Sequence, residues 1–126
     1  MVRSPKPAIH DILENIERVQ TRMVGVGFAE LEGNWELRFA VQRAIEIISE
    51  ASRRLPEDLK KLRPEINWRR AAGIGNVLRH DYQTVSDKVI WDVVQQDLAL
   101  LKSAVEAIAK AVDDDVPNGL VPPCST

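Results

Sequence analysis

One cysteine, two histidines and no long apolar run leave this chain little with which to build several common kinds of site. Cys124, close to the end in a proline-rich stretch, has no partner for an internal disulfide or a cysteine metal cluster, and is expected as an exposed thiol. Neither His10 nor His80 has a glutamate three residues before it, so the paired Glu-x-x-His pattern of a di-iron bundle is excluded. Structural zinc lacks its thiolates, and no glycine-rich loop ends in Gly-Lys-Ser or Gly-Lys-Thr to hold nucleotide phosphates. No metal ion or cofactor is therefore expected. No apolar stretch approaches the length of a membrane span. The charged start, residues 1–7, leads into an amphipathic segment rather than a continuous apolar one, so neither secretion nor insertion is expected and the location read from the sequence is cytoplasmic.

What is present is ordinary in amount and uneven in placement. An apolar fraction of 44% and a charged fraction of 29% over 126 residues suit one domain with a core of its own. The net charge of −2 gives no global attraction to nucleic acid. Residues 53–88 nevertheless carry nine Lys or Arg against five acids, while the remainder carries eight basic and fourteen acidic residues. A basic segment on an acidic body suits a protein that meets phosphates through one face, and solvated helix faces give the same pattern.

The apolar spacing is helical throughout. Ile9, Ile12, Ile16, Val19 and Met23 recur at steps of three and four, and this first helix should end near Gly25 and Gly27. A linker holding Phe28 and Leu31 follows, then Gly33-Asn34 as turn and N-cap. The second helix buries Leu37, Val41, Ala44, Ile45, Ile48, Ala51 and Leu55, and Pro56 stops it. After a turn at Glu57 to Arg63, Asn67 caps a third helix with Trp68, Ala71, Ala72, Leu78 and Tyr82. Gly73 and Gly75 fall inside it at roughly 1 kcal/mol each relative to alanine, so something other than propensity must hold them there. Ser86 or Asp87 can cap the last helix, whose seam Trp91, Val94, Leu98, Leu101, Val105, Ile108 and Val112 repeats every seven residues. These elements predict an all-α fold, an antiparallel up-and-down four-helix-type bundle, as one domain over residues 1–112, with residues 113–126 a flexible tail.

Chemistry concentrates on the third helix. Asn76 and His80 lie four residues apart on one face, and Arg69 and Gly73 extend the same ladder. An imidazole beside cationic groups suits acid or base work on an RNA phosphodiester, because its ordinary pKa lies near working pH. A helix-end histidine bonded to Asp81 or to backbone has the same sequence pattern. His10, beside Pro7 and Asp11, is read as a surface or capping residue without a role.

From about Trp35 to Ile108 the chain resembles the HepT-like branch of the HEPN superfamily. The resemblance rests on residues 44–51 (AIEIISEA), 66–69 (INWR), 72–82 (AGIGNVLRHDY) and 89–94 (VIWDVV). It implies a homodimeric helical bundle acting as the toxin of a toxin-antitoxin pair. The implied activity is metal-independent endoribonuclease cleavage of RNA. In that family an arginine, four residues, then histidine, any residue and tyrosine form the site. His80 and Tyr82 match it, Asn76 matches the polar residue that follows the arginine, and Glu50 matches a glutamate of the preceding helix. Gly75 stands where the arginine belongs, which implies an impaired nuclease unless Arg79, one turn on, fills the space that glycine leaves. The implied partner is a minimal nucleotidyltransferase antitoxin, with Tyr82 the position open to attachment of AMP. A non-enzymatic helical dimer that binds the nucleotidyltransferase or RNA is the alternative, with Tyr82 packed in the core and Glu50 paired to Arg53 or Arg54.

Overall fold

The computed structural model describes residues 4–80 and 87–114, with only the backbone of Arg79, His80 and Asp114. Its architecture is all helix, with no strand among the described residues. Helix α1 (Lys6–Arg22) turns Ala8, Ile9, Ile12, Ile16 and Val19 inward, and the chain leaves it through Gly25, whose φ of 76° is one that side chains rarely adopt. The segment expected as a linker is instead a short helix, α2 (Phe28–Gly33). Six residues are too few to show a period, and tertiary contacts hold them: Leu31 is fully buried and Phe28 meets the edge of Trp91 at 5.9 Å.

Asn34 starts α3 (Trp35–Arg54) as expected, its side chain accepting the Leu37 N–H at 3.0 Å. All seven residues assigned to the buried stripe of α3 and its C-cap are in the core. A single turn, α4 (Glu57–Lys60), occupies the region read as a turn. Asn67 caps α5 (Trp68–His80) by accepting the Arg70 N–H at 3.0 Å, and the Trp68 indole N–H points at the carbonyls of Lys60 and Arg63.

The last helix departs from a continuous seven-residue repeat. It runs as α6 (Asp87–Asp92), a π-helical turn (Val93–Asp97) and α7 (Leu98–Asp114). The backbone is right-handed helical at both joints, so the direction persists while the wider turn shifts the register. Ile90 is buried before it, Val93 and Val94 within it and Leu98, Leu101, Ala104, Val105 and Ile108 after it, whereas Trp91 and Val112 are only partly covered. The helix also passes the expected boundary at residue 112, and the Asp113 carboxylate lies 3.9 Å from Lys6 Nζ. Ser86 and the tail with Cys124 lie outside the described residues.

Polar contacts fix the directions. Gln42 and Arg53 reach Leu78 and Ala72, so α3 and α5 are antiparallel, and Asp11 near the start of α1 pairs with Arg54 at the end of α3. Gln20 meets Lys102 while Lys6 meets Asp113, so α1 and α7 are antiparallel. One apolar cluster lies between them, with Ile12, Ile16, Ile45, Leu78, Leu98 and Ile108 at its centre. No helix among the described residues is long and apolar enough to cross a membrane.

Candidate functional site

The face that carries Asn76 is built by the packing of α5 on α3. Ser49 is fully buried between them, its hydroxyl donating to the Ala72 carbonyl at 2.8 Å and accepting the Gly75 N–H at 3.1 Å. This contact accounts for one of the two glycines. A Cβ on Gly75 would stand 2.7 Å from Ser49 Cβ, 2.8 Å from its Oγ and 3.3 Å from Glu46 Cα, whereas a Cβ on Gly73 would meet nothing within 4 Å. Gly75 is what lets the two backbones approach closely enough for the serine to bridge them.

A polar row on α3 follows the seam. Gln42 Nε2 donates to the Leu78 carbonyl at 3.3 Å and faces Glu46 at 3.4 Å. Glu46 is largely buried and also meets Arg43. At the far end Arg53 Nε donates to the Ala72 carbonyl at 3.1 Å, and its Nη1 lies 3.6 Å from Glu50. Glu50 is thus paired with Arg53, one of the two partners weighed for it.

On α5, Asn76 and Arg69 are exposed on the flank beyond that row. His80 ends the helix and its backbone continues the Arg69–Asn76 register, with Arg79 one residue before it. Their side chains lie outside the described residues, as do Asp81 and Tyr82. His10 sits apart on α1, exposed and 2.9 Å from Glu14. Several cations of the basic segment are engaged locally: Arg70 with Asp97, Arg63 with Glu65 and Lys60 with Glu57. A hydrogen bond to its own backbone and the neighbouring Arg63 hold the Glu65 carboxyl below its ordinary value. No group of His, Cys, Asp and Glu able to hold a metal occurs among the described residues. A cavity of about 240 Å³ lies where α3, α5 and the π-helical turn meet, lined by apolar side chains such as Ile45, Ile74, Leu98 and Leu101 together with Glu65, Asn67 and the paired Arg70 and Asp97.

The family model described as ribonuclease HepT-like matches residues 12–108, which include α3, α5 and the seam between them. The chain belongs to the HepT-like ribonuclease family. A protein of Thermococcus cleftensis named "Probable ribonuclease HepT" is 39% identical over 87% of this chain and 100% of its own length. A Methanocaldococcus jannaschii protein named as a candidate RNase is 33% identical over 84% of this chain and 97% of its own. No solved structure shows a significant match.

Among HepT-like features, position 75 reads differently in space than in sequence. The point beside the Gly75 Cα where a side chain would begin is filled by Ser49 of α3, and the Arg79 side chain expected to lean toward it lies outside the described residues. The sequence reading also missed Gln42, Glu46, Ser49 and Arg53 as neighbours of this HepT-like segment. A helical period shows which face of α3 is polar, but not which helix that face meets. Of the two interior glycines, Gly75 was the available signal of a close approach, whereas Gly73 marks none.

Proposed function

We propose that this HepT-like chain is the toxin-type ribonuclease of a two-component pair and cuts RNA without a metal ion on the α3–α5 flank. The observation that carries the reading is the match over residues 12–108, combined with an exposed Asn76 one helical turn before His80. His80 takes the proton of the RNA 2'-hydroxyl as that oxygen bonds to phosphorus. The bond from phosphorus to the 5'-oxygen breaks, that oxygen takes a proton from water, and the products are a cyclic phosphate and a free 5'-hydroxyl. Asn76 offers a neutral donor to the phosphate oxygens, whose charge rises in the transition state. The partner is a minimal nucleotidyltransferase that silences the toxin by moving AMP from ATP to the Tyr82 oxygen, with pyrophosphate leaving.

The active species is a two-fold dimer with its two His80 residues turned toward a shared groove, since one small bundle offers little concave surface for RNA. Trp35 and Phe39 support this: they stack edge to face on α3 beyond Gln42, toward the His80 end of α5, yet remain 61% and 53% exposed in a single chain. The second reading, a non-enzymatic dimer that binds the nucleotidyltransferase or RNA, is favoured by one observation: the position assigned to the family arginine is closed by Ser49. RNA incubated with the encoded protein and with His80→Ala, both in EDTA, separates the two. Cutting by the first alone supports the nuclease, and RNA retention without cutting by either supports the binding module.

A further inference from the structure

We propose that Arg53 of α3 supplies the phosphate-binding cation of this site, from the neighbouring helix instead of from position 75. The assignment rests on the ribonuclease reading above. Its first support is that α5 itself has no room for such a group at 75, where even a Cβ meets Ser49 at 2.7 Å. The second is that Arg53 is already fixed to α5. Its Nε donates to the Ala72 carbonyl at 3.1 Å, next to the Ser49 hydroxyl that bonds the same oxygen.

A helical carbonyl points along the axis toward the amide four residues on, so the guanidinium held at Ala72 lies near the level of Gly75 and Asn76. That is the level from which an arginine at 75 would have reached. From there His80 is about 6–7.5 Å farther along the axis, at 1.5 Å per residue. The flank also agrees. On a turn of 3.6 residues Asn76 is about 40° from Ala72 and His80 about 80°, on the side away from Gly75.

The guanidinium has capacity left. Nε is used by the carbonyl and Nη1 faces Glu50 at 3.6 Å, while Nη2 makes no hydrogen bond among the described residues and the side chain is 41% exposed. A fork anchored on one edge by backbone and open on the other is oriented before substrate arrives, which is where a positioned cation is most effective. Arg69 offers a contrast. It is exposed on the same flank, but nothing among the described residues fixes it. As the 2'-oxygen bonds to phosphorus and the 5'-oxygen departs, negative charge grows on the non-bridging oxygens, and Arg53 Nη2 is the donor that meets it.

The test compares RNA cleavage by the encoded protein, Arg53→Ala, Arg53→Lys and, as a cation removed elsewhere, Arg18→Ala. Turnover should fall roughly 10²–10³-fold in Arg53→Ala, with a smaller change in RNA affinity, and Arg18→Ala should match the parent. Added guanidinium ion should restore part of the lost rate to Arg53→Ala and none to His80→Ala, which a merely structural role for Arg53 does not produce. Arg53→Lys should keep binding while losing turnover, because a lysine cannot hold the carbonyl and the phosphate with one planar fork.

Cleavage by Arg53→Ala at the parental rate overturns the assignment and leaves the nuclease reading standing. No cleavage by the encoded protein, but cleavage by Ser49→Gly/Gly75→Arg, shows that position 75 alone carried the cation and also overturns it. No cleavage by any of these proteins overturns both.

Discussion

Replacing Gly75 by alanine tests the packing on which the site rests. A Cβ there would lie 2.7 Å from Ser49 Cβ, against about 3.5–4.0 Å for carbon atoms in ordinary contact. Ser49 Cβ cannot rotate away, so α3 and α5 must separate by several tenths of an ångström or more. Overpacking of this kind costs roughly 1–3 kcal/mol. Separation also stretches the Ser49–Ala72 and Gly75–Ser49 hydrogen bonds, each contributing about 1 kcal/mol. Alanine regains about 1 kcal/mol of helix propensity, which leaves a net loss of about 2–4 kcal/mol. For a chain of this size that lowers Tm by roughly 6–16 °C. Gly73→Ala, whose Cβ meets nothing within 4 Å, should do the opposite and stabilise by about 0.5–1 kcal/mol. Urea denaturation followed by circular dichroism measures both. If Gly75→Ala proves as stable as the parent, the close approach is not a constraint and the argument about position 75 fails.

Other variants probe separate parts of the account. Leu78→Ala, at a side chain 1% exposed under α5, should cost about 2–5 kcal/mol in the same denaturation assay. Asn34→Ala removes the cap of α3 and should cost about 1 kcal/mol. Trp35→Ser with Phe39→Ser should leave the fold intact and shift a dimer to monomer by light scattering at micromolar concentration, whereas a parent already monomeric there contradicts the shared groove.

The bundle was legible because its longest helices each bury one regular stripe. Leu37, Val41, Ala44, Ile45, Ile48, Ala51 and Leu55 are all in the core, and the Asn34 and Asn67 caps stand where short polar side chains precede apolar periods. What escaped depended on tertiary contact. Helix α2 is held by Leu31 and by Phe28 against Trp91, and the π-helical turn interrupts a seven-residue spacing that a sequence shows only as continuous. The alignment of Asn76 with His80 could be read from the sequence because both belong to one helix, four residues apart. The contacts of Ser49 and Arg53 with Ala72 and Gly75 could not, because they are created only when α3 packs on α5. The glycine that reads as a missing arginine in the chain reads in the fold as the contact surface of a buried serine.

If this HepT-like chain cuts RNA without metal through His80, as proposed, 5'-hydroxyl ends should appear in RNA incubated, in EDTA, with the encoded protein. With His80→Ala at equal concentration the rate at which they form should fall by about two orders of magnitude or more. Ends that appear equally with both, or with the parent only when a divalent ion is restored, contradict the proposal.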